Sequence, residues 1–152
     1  MFYKIGFYIL LVMLALCIGV FMKTNPMKNT GALSWVDILS EDPSATIGFL
    51  DNNFGIKVTE TKPSGLGTDY HIIKAPGQLW PFAGIMKTPE MSPPQSMIYL
   101  TVKDFSVAHK KAIESGAKVV MEPTIANGDM KFAIYTIPGG ITIGITQYGV
   151  KE

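Results

Sequence analysis

The stretch Met97-Ile-Tyr-Leu-Thr-Val-Lys-Asp104, continued by Phe105-Ser-Val-Ala-His-Lys-Lys-Ala-Ile-Glu-Ser115 and Gly116-Ala-Lys-Val-Val120, decides the fold. Its first part alternates between two rows, Ile98, Leu100 and Val102 against Met97, Tyr99 and Thr101, as a strand with one face under helices does. Asp104 then suits a helix N-cap, where a carboxylate accepts from the free N–H groups of the first turn. In the next segment Val107, Ala108, Ala112 and Ile113 fall on one face at helical spacing, while Lys110, Lys111 and Glu114 fall on the other. Gly116 supplies the left-handed stop, and a second strand follows.

The same plan stands upstream. Trp35-Val-Asp-Ile-Leu-Ser-Glu-Asp42 is followed by Pro43-Ser-Ala-Thr-Ile-Gly-Phe-Leu-Asp-Asn-Asn-Phe54 and then Gly55-Ile-Lys-Val58. Asp42 takes the cap, Pro43 the first helical position and Gly55 the stop. In the first strand Trp35 and Asp37 oppose Val36 and Ile38; in the last, Thr142, Gly144 and Thr146 oppose Ile141, Ile143 and Ile145. Further strands are predicted over Ile56–Thr61, Asp69–Lys74, Phe82–Lys87, Lys118–Glu122, Met130–Ile137 and Ile141–Thr146, separated by Pro63-Ser-Gly, Pro93-Pro94, Asn127-Gly128 and Pro138-Gly139-Gly140. A repeat of this length sets the architecture. The expected fold is α+β: two βαβββ modules over 31–91 and 96–148 forming a curved mixed-sheet cup, with 149–152 as a tail.

The pair of modules resembles the vicinal oxygen chelate superfamily, the glyoxalase, bleomycin-resistance and extradiol-dioxygenase group. The resemblance is carried by Trp35-x-Asp37-Ile38, Phe54-Gly55, Ala83-Gly84-Ile85-Met86, Tyr99-x-x-Val102-x-Asp104, Gly116-Ala-Lys-Val119, Glu122-Pro123, and Pro138-Gly139-Gly140 before Ile143-Gly144-Ile145. It implies a cup around a small-molecule site. Metal-dependent members carry His seven residues before the capping Asp and Glu in the final strand. Here those positions are Trp35, Met97 and Gly144, and the stretch Gly84 to Met86 offers no acid. A hard divalent ion needs imidazole or carboxylate, so no metal and no cofactor are expected.

The ligand-lining candidates are Trp35, Asp37, His71, Trp80, Met97, Tyr99, Thr101 and Gly144. Trp35 and Tyr99 could stack a flat ligand or simply fill the core. Asp37 and His71 are the acid–base candidates, and a makeshift metal site from His71, Asp37 and Glu60 lacks ligand spacing. Trp80-Pro81-Phe82 is either a lid or a plug. Met86, Met91 and Met97 suit an adaptable apolar lining. His109, beside Lys110, is expected in solvent.

Composition divides the chain. Nineteen of the first 22 residues are apolar, and 24 of the 25 charged residues come later. Ile5 to Met22 is an 18-residue run without charge, bracketed by Lys4 and Lys23; as a helix it would span about 27 Å. We read residues 1–22 as a single-pass membrane anchor and 23–30 as a linker, with a cleaved signal, a lipoprotein signal ending at Cys17 and a helix buried in the domain as alternatives. The flanking lysines set no orientation. The later part balances 12 Lys against 12 Asp and Glu and has no Arg, which excludes an ordinary nucleic-acid binder. It has no Cys, so there is no disulfide framework or thiol nucleophile. The expected function is metal-independent binding of a small, partly apolar molecule. A metal-free lyase or isomerase, or an interaction module with a filled cup, are the alternatives. The modules pair within one chain or swap between two copies of a homodimer, and the sequence leaves both open.

Overall fold

The computed structural model describes residues 30–64, 67–90, 92–126 and 128–150. The proposed anchor at 1–22, most of the linker and Met91 lie outside the described residues. Among the described residues no helix is long and apolar enough to cross a membrane.

The elements follow the expected order: β1 (Leu33–Ser40), α1 (Pro43–Phe54), β2 (Lys57–Pro63), β3 (Asp69–Lys74), β4 (Ala83–Lys87), β5 (Gln95–Thr101), α2 (Phe105–Glu114), β6 (Lys118–Ala126), β7 (Met130–Thr136) and β8 (Thr142–Tyr148). Both caps form. Asp42 accepts from the Ala45 amide at 3.0 Å and Asp104 from the Val107 amide at 3.0 Å. Gly55 turns the chain out of α1 at φ +65° and donates to the Asp51 carbonyl. β5 ends at Thr101, just before the Val102 that the alternating row included, and β6 runs four residues beyond the expected Glu122, to Ala126. Register shifts in β6, between Val119 and Met121 and between Met121 and Thr124, blur the alternation that would have marked its length.

The strands form one eight-stranded mixed sheet in the order β2-β3-β4-β1-β5-β8-β7-β6. β1 runs parallel to β4, β5 runs parallel to β8, and β1 meets β5 antiparallel at the centre. The two halves are therefore related by a pseudo-twofold axis and pair within this one chain.

Helices cover one face. Ile47 and Leu50 of α1 pack on Val36, Ile38, Ile73, Ala83 and Ile85, and burying each large aliphatic side chain contributes about 1.5–3 kcal/mol. In the other half Phe105, Ala108 and Ala112 of α2 pack on Ala133, Tyr135 and Ile145. The face expected for α2 is rotated: Phe105 is its fully buried anchor, while Val107 and Ile113 are exposed. His109 is not in solvent. It stacks on Phe105, and its Nδ1 lies 2.6 Å from the Tyr135 hydroxyl. Burial, and secondarily the Glu122 charge, raise the Tyr135 hydroxyl above its ordinary range.

Candidate functional site

The opposite, helix-free face carries the second row of each strand, and its centre is Asp37. Register fixes the neighbours: Asp37 lies opposite Gly84 on one side and Met97 on the other. The Trp35 indole N–H donates to Asp37 Oδ1 at 3.1 Å and to the Tyr70 hydroxyl at 2.6 Å. The Tyr70 hydroxyl in turn donates to Asp37 Oδ1, and the Tyr99 hydroxyl donates to Oδ2 at 2.8 Å. Three neutral donors thus converge on one half-buried carboxylate. No ion pair to Asp37 forms among the described residues, whose bridges join Lys57 to Asp51, Lys62 to Glu60 and Lys110 to Glu114.

Two glycines make this convergence fit. Tyr70 sits on β3 and reaches Asp37 by crossing β4 over Gly84. A Cβ at Gly84 would meet the Tyr70 ring at Cζ and Oη. Tyr99 likewise lies across its register partner Gly144, where a Cβ would meet ring atoms Cδ1, Cε1 and Cγ. Burial first, and then the adjacent Asp37 charge, hold both tyrosine hydroxyls well above the usual tyrosine range. Both therefore remain neutral donors at physiological pH.

An apolar cluster adjoins the network. Met97, Tyr99 and Ile134 are buried, with Trp35 and Phe132 packed against them and the Phe132 ring edge-on to Tyr99 at 6.3 Å. Hydroxyls gather at its far end: Ser34 lies at the β1 bulge, with its Oγ 3.1 Å from the Tyr99 carbonyl and 3.0 Å from Thr146 Oγ1. Thr101 stands opposite Thr146, and its buried hydroxyl has no partner among the described residues. Such a group is costly to leave unmet, by about 1–3 kcal/mol.

Of the sequence candidates, Trp35, Asp37, Met97, Tyr99, Thr101 and Gly144 share this face. His71 does not. It pairs with Ile85, which pairs with Ile38, so it stands on the helix side, opposite in facing to Asp37. There its Nδ1 lies 3.1 Å from Thr61 Oγ1. In β3 both rows mix aromatic and aliphatic residues, so alternation alone could not assign the face. Trp80 lies outside the cluster, on the loop between β3 and β4, and is 78% exposed. Tyr70 is the residue that sequence reasoning missed. Its signal is the glycine at position 84, whose empty space implies a ring from a neighbouring strand.

The residues present do not fit a divalent metal ion. Trp35, Met97 and Gly144 stand at the positions implied for ligands, and tyrosine rings fill the space over both glycines. Among the described residues no three His, Cys, Asp or Glu side chains are grouped to hold a metal.

The whole arrangement has close architectural parallels among solved structures. A methylmalonyl-CoA epimerase from Mycobacterium tuberculosis superposes with a TM-score of 0.59 at 16% identity, over 79% of this chain and 89% of that one. A Streptomyces coelicolor methylmalonyl-CoA epimerase variant, in complex with 2-nitronate-propionyl-CoA, gives 0.60 at 14% identity, over 80% and 100%. A hypothetical protein from Bacillus halodurans gives 0.62 at 12% identity, over 82% and 99%. This is the vicinal oxygen chelate fold. No protein-family model matches the sequence, and no curated protein matches it. At such identities the likeness speaks for the fold, and a fold of this kind hosts many chemistries. Trp35, where the resemblance implied a metal ligand, donates its indole N–H to the Asp37 carboxylate.

Proposed function

We propose that this chain is a membrane-anchored protein whose vicinal oxygen chelate domain binds a small, partly apolar molecule without a metal ion. The observation that carries this reading is the Asp37 carboxylate, fixed by Trp35, Tyr70 and Tyr99 on an aromatic-lined face with no cation paired to it among the described residues. A half-buried carboxylate satisfied only by neutral donors favours a ligand that brings a hydrogen-bond donor or a positive charge. Trp35, Tyr70 and Phe132 supply apolar area around it, and ligands of this type commonly bind to apolar walls with a few convergent polar groups. The floor is occupied by Tyr99 and Met97, so the ligand sits above them. Residues 5–22 tether the domain to the bilayer.

The test uses Trp35 as its own reporter. The chain has two tryptophans, and Trp80→Phe leaves only Trp35. Full-length W80F protein in detergent is titrated with a panel of aromatic amines, neutral aromatics and acyl-CoA thioesters. The expected result is a saturable change in Trp35 emission with an apolar amine, weakened at least about tenfold by Asp37→Asn, the loss of a charge-assisted hydrogen bond. Equal binding by D37N would overturn the reading.

A metal-free lyase or isomerase remains the second reading, favoured by the epimerases among the structural neighbours. Asp37 would then be its acid–base group on this face, since His71 faces the other way. Exchange of a substrate C–H proton with deuterated solvent, lost in D37N, would favour it over simple binding.

A further inference from the structure

Four exposed apolar side chains gather at one end of the first half. β1 starts at Leu33, and Gly31 and Ala32 already bond to Thr101, so the chain reaches the sheet at this end from residues 5–30. β4 runs parallel to β1 with Ala83 opposite Val36, so the preceding loop, 75–82, lies at the same end. β2 starts here as well, with Lys57 paired to Lys74, so the C-terminus of α1 is at this end too. Pro76 of the loop packs beside Gly55 there. The exposed residues are Leu33 at 62%, Phe54 at 59%, Leu79 at 84% and Trp80 at 78%. Leu79 and Trp80 are adjacent and are the two most exposed large apolar residues described. The adjacent Leu79 and Trp80, with Leu33 and Phe54 at the same end, are the candidates for a contact surface.

We propose that this end rests on a phospholipid bilayer, with Leu79 and Trp80 inserted at the headgroup level as a second membrane contact. The proposal rests on the anchor reading of residues 5–22. From Met22 to the sheet the chain has eight residues, 23–30, which span at most about 29 Å when extended. An anchor that ends there keeps this end of the domain within about 29 Å of the bilayer. Trp is favoured at the membrane–water interface because its ring is apolar and its N–H is polar. Among the described residues Lys57 and Lys74 pair across β2 and β3 at this end, with Asp51 bridged to Lys57.

The full-length chain is reconstituted in phosphatidylcholine vesicles with a minor share of phosphatidylglycerol, the acyl chains being brominated. Tryptophan quenching is compared between the native chain and Trp80→Phe, and alkaline carbonate extraction reports independently whether residues 5–22 span. Leu79 and Trp80 are surface residues, so circular dichroism should not change in W80F or in Leu79→Ala. The expected result is extraction resistance, a blue-shifted and bromine-quenched Trp80 component lost in W80F, and weaker quenching in L79A. Resistance with unquenched Trp80 would overturn the loop contact and leave the anchor intact. Quenching without resistance would uphold the loop contact and remove the anchor. Trp80 shielded from aqueous iodide yet untouched by bromine would show residues 5–22 folded over this end, which overturns both.

Discussion

Five residues before the first helix-capping aspartate stands Asp37; five before the second stands Tyr99, and the two bond to each other at 2.8 Å across the central β1–β5 seam. The seven-residue positions differ in the same way, with Trp35 donating to the network and Met97 filling the apolar floor. The backbone plan is repeated while the side-chain roles are divided. The first half holds the carboxylate and two of its three donors; the second contributes one hydroxyl and most of the apolar floor. Even the two glycines receive their rings from different directions, Gly84 from β3 on the outer side and Gly144 from β5 on the inner side. A duplicated frame can thus keep its pseudo-symmetry and still build a one-sided site.

Closing the two glycine spaces should affect the two halves unequally. At Gly144 the added Cβ would meet the base and middle of the buried Tyr99 ring, which has no room to withdraw. Gly144→Ala is expected to lower stability by about 3 kcal/mol, at the upper end of overpacking costs. At Gly84 the added carbon meets the far end of the half-buried Tyr70, which can swing aside and give up its bond to Asp37. Gly84→Ala should cost only about 1 kcal/mol, one net hydrogen bond. Thermal or denaturant unfolding reads both, and equal losses would remove the distinction between the halves.

A pH-dependent effect reads the two tyrosine hydroxyls. Both hydroxyls titrate above the ordinary tyrosine value of about 10 in the folded chain, so as pH rises the unfolded chain loses these protons before the folded chain does. Their contribution is therefore full below about pH 10 and declines above it, by about 1.4 kcal/mol per pH unit for each tyrosine. Tyr99→Phe should remove one such share of the alkaline slope, and Tyr70→Phe another, in denaturant midpoints measured between pH 9 and 11. An unchanged slope in either variant would mean that its hydroxyl is not the buried donor described.

Much of the frame was legible in the sequence because its signals are local. Asp42 and Asp104 cap by accepting from amides three residues on, and Gly55 takes a positive φ. The shared face of Trp35, Asp37, Met97 and Tyr99 followed from period-2 alternation in β1 and β5. The facing of β3 did not, because Tyr70 and Ile72 are no more or less apolar than His71 and Ile73, and only pairing with β4 decides between them. That one ambiguity hid Tyr70 and misplaced His71. Trp80 was misjudged for another reason: apolarity says that a side chain seeks cover but not where, and a loop between strands obeys no period. His109 was drawn out of solvent by Phe105 and Tyr135, partners 4 and 26 residues away.

In the proposed function this domain works through Asp37 and its aromatic donors, without a metal ion. Native mass spectrometry of the full-length chain released from detergent tests it most directly. The expected spectrum shows the bare chain plus a small organic adduct, with the adduct lost in Asp37→Asn and with no divalent ion retained through desalting. One divalent ion per chain, surviving a desalting step and lost in D37N, would contradict the claim.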